Sequence, residues 1–180
     1  MSKLLTLARR LDDFSEWIGT AVAWLALLLT AVVAYDVVAR YLFHAGSVAL
    51  QEAEWHIFAV MFLLAAAYTY KHDAHVRVDV VYGKLGLRGK AAVNLFGALL
   101  LLIPFSLMII HASAGFVEMS WNLGEGSGDP GGLPARYILK GMIPAGFSLL
   151  ILQGIAEIAK SLYELSTGRP VHVAEESDHV

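Results

Sequence analysis

The sequence contains no cysteine and few charged residues. Cysteine is absent from the 180 residues, and Asp, Glu, Lys and Arg together make up 16% of them. The absence of cysteine excludes disulfide scaffolds, thiolate catalysis, thiolate zinc sites and covalently attached c-type haem. Soluble domains carry about 25% charged residues, so this content indicates a surface that does not face water everywhere. The formal net charge of −3 provides no strongly basic surface, and we expect no nucleic-acid partner.

Apolar residues, in contrast, are abundant and arranged in four long runs. They make up 57% of the chain, and the mean hydropathy is +0.60. Charge-free runs occupy residues 17–35, 55–70, 91–117 and 141–156. A helix needs about 20 apolar residues to cross a hydrocarbon core of about 30 Å, so the two shorter runs must include apolar residues from their flanks. Strands are excluded because a small open sheet would leave unpaired edges in lipid.

The sequence therefore predicts an all-α integral membrane protein with four transmembrane helices in one domain. We expect this domain to cover residues 1–165, with helices at about residues 15–42, 48–71, 90–118 and 136–162. The first apolar run is longer than the core of a signal peptide and follows several acidic residues, so we expect it to remain in the protein. The polar tail, residues 166–180, is predicted to be disordered.

The distribution of basic residues predicts the orientation of these helices. Ten Lys and Arg residues fall in the two termini and the second connection, and three fall on the other side. Because basic residues accumulate on the cytoplasmic side, both termini are predicted to be cytoplasmic. The second connection mixes apolar and basic residues, so we expect residues 78–87 to lie along the inner membrane surface, close to its anionic lipids. His75, Arg77 and Asp79 follow the second predicted helix and are interpreted as an interfacial anchor.

Charged residues flank the short first turn, at the predicted outer end of the hairpin. Asp36 and Arg40 are four residues apart and share a helix face, and Glu52 and Glu54 follow the turn. A hairpin folded about residue 46 would place Arg40 near Glu52 and Asp36 near His56. Three interpretations remain open: solvation at the headgroup level, an ion pair that joins the hairpin, and an ion-translocation site. We expect Arg40 to contact Glu52.

Two histidines suggest a different kind of protein. His56 and His111 are both predicted to lie in the outer leaflet, where two imidazoles can ligate a b-type haem between helices. A haem-binding subunit of an electron-transfer complex is therefore an alternative function. A small, self-sufficient homo-oligomeric transporter is a third. It would need a polar path of its own through the membrane.

Several segments together resemble a known family. They are Asp36-Val-Val-Ala-Arg40-Tyr41, Glu52, His75-Val-Arg77-Val-Asp79, the stretch from Ser120-Trp121 through Glu125-Gly-Ser127, and Gly141-Met-Ile-Pro144. Over residues 10–165 the chain resembles the small membrane subunit, the DctQ-type small permease, of tripartite ATP-independent periplasmic (TRAP) transporters. Members often have a Trp shortly before the Glu of this hairpin, whereas here Val48-Ala49-Leu50 occupies that place.

The resemblance implies a non-catalytic scaffold subunit in a bacterial inner membrane. In such systems a periplasmic binding protein delivers an organic solute, often a carboxylate, to a large permease subunit, and an ion gradient drives uptake. The implied partners are the large subunit, the binding protein and membrane lipids, with no cofactor. Helices in lipid associate through close packing, so the small residues at 65–67 and 112–115 either dock the large subunit or pack the four helices of this chain together.

Overall fold

The structure, a computed structural model, describes residues 2–73 and 82–171. It contains four long helices: α1 (Ser2–Leu42), α2 (Val48–Lys71), α3 (Leu87–Asn122) and α4 (Arg136–Thr167). Each is long and apolar enough to cross a membrane. The predicted all-α membrane fold with four spanning helices is confirmed. The side of the membrane on which the termini lie stays a prediction.

Helix α1 begins at Ser2, well before the expected start near residue 15. At 1.5 Å per residue it is about 60 Å long, roughly twice the hydrocarbon thickness. The extension is held by packing, because the buried Ala8 contacts Ala156 and Ala159 of α4. The predicted start was too late because the charge-free run begins after the acidic residues 12, 13 and 16, whereas the helix continues through them.

Two helix ends have clear local causes. Ser47 precedes α2 in an extended conformation, and its hydroxyl accepts a hydrogen bond from the Leu50 backbone N–H at 3.4 Å. This is the usual N-cap arrangement, so the predicted start at residue 48 follows from the sequence. Helix α4 ends at Gly168, whose φ of +66° lies in the left-handed region that glycine adopts without strain.

Helix α4 is the centre of the bundle, since it contacts each of the other three helices, and α1 also packs along α2. On α1 the residues Ala8, Ser15, Val22 and Asp36 are buried and are spaced by multiples of seven. A seven-residue repeat of buried positions is typical of left-handed, nearly antiparallel helix packing. The spacing therefore predicts small crossing angles for α1.

Glycine permits a close approach between α2 and α4. A Cβ atom placed on Gly146 would lie 2.5 Å from the Leu63 carbonyl oxygen, closer than van der Waals contact allows. On α2, Ala67 is buried and Ala65 and Ala66 are half-buried. Ala67 therefore packs inside the bundle, and a docking role for the half-buried Ala65 and Ala66 stays a prediction. Of the small residues at 112–115, Ala112, Ala114 and Gly115 are exposed.

Helix α3 changes its hydrogen-bonding pattern before Pro104. Residues Gly97–Leu102 form a π-helical segment, and the Ile103 N–H donates to the Ala98 carbonyl five residues earlier. Proline has no N–H and displaces the preceding turn, so a local π-helical pattern accommodates it. A groove of about 890 Å³ lies between this segment and Tyr70 at the end of α2.

The chain alternates in direction, so the bundle has two polar ends. We call the end that contains the α1–α2 and α3–α4 connections the turn end, and the end where α1 begins and α4 finishes the terminal end. The expected interfacial anchor, His75, Arg77 and Asp79, lies outside the described residues, as do residues 78–81 of segment 78–87. The same holds for residues 172–180 of the tail that we predicted to be disordered.

Candidate functional site: two polar clusters that join the helices

At the turn end, the carboxylate of Glu52 on α2 is the centre of a hydrogen-bond cluster. It accepts hydrogen bonds from the Ser127 hydroxyl at 2.5 Å, the Leu133 backbone N–H at 2.6 Å and Arg136 Nη2 at 2.8 Å. Glu52 is buried, and these three donors compensate its charge in place of water. The carboxylate joins α2 both to the α3–α4 connection and to the first residue of α4.

The α3–α4 connection, residues 123–135, is folded around this carboxylate. The Ser127 N–H donates to the Leu133 carbonyl at 2.9 Å, and the Arg136 N–H donates to the Glu125 carbonyl at 2.8 Å. A Cβ atom on Gly132 would lie 2.4 Å from the Ser127 hydroxyl and 2.8 Å from Glu52 Oε2. A residue without a side chain is therefore needed at this position, which explains one of the many glycines of the loop.

A second ion pair fixes the same loop. The Lys140 ammonium donates to the Glu125 carboxylate and lies 3.8 Å from the centre of the Phe116 ring. This ammonium group holds the pKa of Glu125 below its usual range, because a neighbouring cation favours the ionised carboxylate. Trp121 packs edge-to-face on Tyr137, with ring centres 4.7 Å apart.

The expected pair between Arg40 and Glu52 is wrong. Arg40 instead donates to Asp36, four residues earlier on α1, and Asp36 is buried. The cause is the register of the hairpin. At its other end Gly19 lies against Tyr68, which places Arg40 opposite Ser47 rather than Glu52. Glu52 lies five residues beyond Ser47, about 7.5 Å further along the chain direction of a helix. Its carboxylate is therefore out of reach of Arg40 and pairs with Arg136 of α4.

The two histidines of the haem hypothesis have separate surroundings. His56 Nδ1 donates to the Glu52 backbone oxygen at 2.6 Å, and the ring lies 3.9 Å from that of Trp55. It lines a cavity of about 290 Å³ together with residues of α1, α2 and the start of α4. His111 is exposed on α3. No feature of the described residues favours a haem between them.

Pro144 lies inside α4, two residues before the buried Gly146. Its carbonyl accepts a hydrogen bond from the Ser148 hydroxyl at 2.7 Å. A serine hydroxyl in a helix commonly donates to the carbonyl four residues earlier, so this bond is a local one and does not replace the backbone bond that Pro144 lacks.

The terminal end has a second cluster that sequence reasoning missed. Gln153 of α4 is completely buried, its amide oxygen accepts from the Ser15 hydroxyl at 2.7 Å, and its amide nitrogen donates to Asp12 at 2.7 Å. Lys160 lies 3.3 Å from both Asp12 oxygens. Gln153 lies within the charge-free run 141–156, where lipid offers its amide no hydrogen-bond partner. That position was the one sign in the sequence that Gln153 contacts another helix.

The same cluster reaches α2 and α3. Lys71 at the end of α2 donates to Glu16 at 2.9 Å, and the Asn94 amide of α3 donates to Glu157 at 2.8 Å. All four helices are consequently joined at the terminal end by side-chain hydrogen bonds. In the two described ranges, no group of three or more His, Asp or Glu side chains is arranged to hold a metal ion.

The four membrane-length helices define a multi-pass membrane protein. Its polar clusters join the helices to one another at both ends of the bundle. The family model of the DctQ component of tripartite ATP-independent periplasmic transporters matches residues 29–163. The chain belongs to this family, which confirms the resemblance noted in the sequence. It is a transporter component of the inner membrane. A comparison with curated proteins found no match.

Proposed function

We propose that this chain is the scaffold subunit of a TRAP transporter and that it supports a large permease subunit. The transporter would take up an organic solute, a carboxylate in our expectation, which a periplasmic binding protein delivers. An ion gradient would drive the uptake. The family assignment supports the membership of a tripartite system, and the scaffold role is our inference from the polar clusters.

The observation that best supports a scaffold role is that charged side chains in the bundle pair with each other across helices. Glu52 is bound to Arg136, and Asp12 is bound to Lys160, in both cases between different helices. Substrate and ion sites in secondary transporters are typically built from pairs of interrupted helices near the middle of the membrane. Each of the four described spans is instead one continuous helix, and α3 only changes to a π-helical pattern over Gly97–Leu102.

With both termini in the cytoplasm, the turn end would face the periplasm. The α3–α4 connection would then lie on the side from which a binding protein approaches. The Glu52 and Glu125 ion pairs would keep this loop in one conformation. We propose this orientation from the distribution of basic residues, as argued from the sequence.

Co-purification tests the scaffold role. The tagged chain is expressed with and without the large permease subunit of its own transporter, and the membranes are solubilised in mild detergent. We expect one defined complex of the two subunits, and a lower yield of folded large subunit when the chain is omitted. Separate elution of two folded subunits would contradict the proposal.

A further inference from the structure

A concave site lies beside α3, on the side of α2. In residues 2–73 and 82–171, α3 packs along α4 and makes few contacts with α2. The space that this leaves is the groove of about 890 Å³ next to the π-helical segment, and we call it the α2–α3 groove. Its lining runs along α3 from Val93 to Met108 and includes Tyr70 of α2 and, before α3, Tyr82 and Leu85.

The length and width of the groove suit a single acyl chain. Val93 and Met108 are fifteen residues apart, which is about 22 Å along a helix, whereas one leaflet of the hydrocarbon core is about 15 Å thick. The wall between them is apolar and includes Leu100, Pro104 and Phe105. A membrane-spanning helix with a diameter of about 10 Å would need about 1,700 Å³ over the same length. A lipid chain can therefore lie in the groove, whereas a helix could only cover it.

The groove is polar at its terminal end. There the Tyr82 hydroxyl donates to the Asn94 side-chain oxygen at 3.1 Å, and both residues line the groove. The Asn94 amide donates to Glu157 at 2.8 Å, and Lys160 lies 3.3 Å from the same carboxylate and compensates its charge. An amide group has a second N–H, which can donate to an oxygen of the ester groups that join acyl chains to a headgroup.

Two lysines lie at this polar end. Lys90 is one turn before Asn94 on the same face of α3, and its ammonium is 5.4 Å from the centre of the Tyr82 ring. Lys84 is exposed and directly precedes Leu85. Within the described ranges, neither lysine forms an ion pair with a carboxylate. Basic pockets between membrane helices bind anionic lipid headgroups, so the charge of this end matches such a ligand.

We propose that the α2–α3 groove binds one anionic phospholipid, with an acyl chain along α3 and the phosphate headgroup at Lys84 and Lys90. The inference goes beyond the scaffold function and does not depend on it. A zwitterionic lipid with the same chains fits the apolar wall equally well but gains less from the two lysines. In the orientation predicted from the basic residues, the terminal end lies in the cytoplasmic leaflet, which carries anionic lipids.

Native mass spectrometry of the delipidated, full-length chain in detergent tests the selectivity. Phosphatidylglycerol and phosphatidylcholine with identical oleoyl chains are titrated separately. We expect one phosphatidylglycerol to be retained per chain. Phosphatidylcholine should bind about tenfold more weakly, because each lysine near an anionic lipid contributes about a factor of five. Equal binding of the two lipids would overturn the proposal.

Charge variants test the two lysines. We expect Lys84→Gln combined with Lys90→Gln to weaken phosphatidylglycerol binding by about tenfold and to leave phosphatidylcholine binding unchanged. The matched control combines Lys3→Gln with Arg10→Gln, which removes the same charge from exposed positions of α1 at the terminal end. The control should bind like the unsubstituted chain. Equal affinities of the two double variants for phosphatidylglycerol would contradict the headgroup site.

A second pair of variants tests the acyl-chain site. Gly97 lines the groove, whereas Gly115 lies further along α3 and outside it, and a Cβ atom at either position would meet open space. Gly97→Leu fills part of the groove, so we expect it to weaken phosphatidylglycerol binding by about fivefold or more. Gly115→Leu should leave binding unchanged. Because leucine favours helix over glycine, neither variant should lower the melting temperature. Undiminished binding by Gly97→Leu would place the lipid elsewhere.

Photo-crosslinking in native membranes tests the occupant within the whole transporter. A photoreactive amino acid replaces Leu101, which lines the groove and is 71% exposed. We expect adducts with phospholipid. Adducts with the large subunit or with a second copy of this chain would show that protein occupies the groove, and they would overturn the proposal.

Discussion

Arg136, the first residue of α4, donates a 2.8 Å hydrogen bond to Glu52, which lies one turn into α2. The two residues are 84 positions apart in the chain, and the same carboxylate also holds the α3–α4 loop. This pair therefore closes the turn end of the bundle. Its loss should affect both helix packing and loop conformation.

The first prediction concerns Glu52. Glu52→Gln removes the charge and leaves Arg136 without a carboxylate partner, so we expect a loss of about 1.5–3 kcal/mol of stability. Thermal unfolding in detergent measures it, and limited proteolysis within residues 123–135 reports on the loop. Glu118→Gln, an exposed carboxylate on α3, is the control and should change little. Equal melting temperatures for the two variants would show that the Glu52 cluster contributes nothing.

A second prediction concerns the buried amide at the terminal end. Gln153→Leu introduces an apolar side chain of similar size and removes the partner of Ser15 and one partner of Asp12. We expect a cost of about 1–3 kcal/mol, because buried polar groups are left unsatisfied. The exposed Gln51 provides the comparison, since Gln51→Leu should be nearly neutral. A neutral Gln153→Leu variant would contradict the structural role assigned to the cluster.

The third prediction uses two glycines of α4. Gly146→Ala would force a methyl group against the Leu63 carbonyl of α2, whereas an Ala at Gly141 would meet open space. Backbone cannot move aside as a flexible side chain can, so we expect Gly146→Ala to cost about 1–3 kcal/mol. Gly141→Ala should be neutral or slightly stabilising, since alanine favours helix. The reverse order of melting temperatures would disprove the close approach of α2 and α4.

The fourth prediction concerns pH. The Lys140 ammonium lowers the pKa of Glu125 below its ordinary value of 4.5. A carboxylate with a lowered pKa stabilises the folded state fully above its ordinary pKa, and this contribution disappears as pH falls through the lowered pKa. The stability difference between the unsubstituted chain and Glu125→Gln should thus be constant near neutral pH and shrink below about pH 4.5. A difference that is unchanged down to pH 3 would contradict the ion pair.

The number and type of the helices could be predicted from the sequence because lipid permits few alternatives for long apolar runs. The start of α2 could also be predicted from the sequence, because Ser47 caps the helix. The start of α1 was not, because its first turns depend on the contact of Ala8 with α4. Contacts between distant segments leave no periodic signal of their own.

The charged pairs also show that local contacts can be predicted from the sequence, whereas contacts between distant helices cannot. Asp36 and Arg40 share a helix face, so their contact follows from local spacing. The choice of Arg136 over Arg40 as partner of Glu52 depends on the register of α1 against α2. That register is set far away, where Gly19 admits the Tyr68 ring. The terminal cluster could have been suspected from Gln153, but its partners could not be identified.

The fifth prediction is the orientation of the bundle. Reporter fusions after Val180 and within residues 124–132 should report opposite sides, with the C-terminus in the cytoplasm. A periplasmic C-terminus would place the loop held by Glu52 in the cytoplasm. The proposed approach of a binding protein to that loop would then be wrong.

The most direct test of the scaffold function is uptake by proteoliposomes under a sodium gradient, measured with a panel of radiolabelled organic acids. One set of vesicles contains this chain alone, a second contains the large subunit and the binding protein, and a third contains all three. The account predicts no uptake by the first set, weak or absent uptake by the second, and uptake of one acid by the third. Sodium-driven uptake by this chain alone, or full activity without it, would contradict the account.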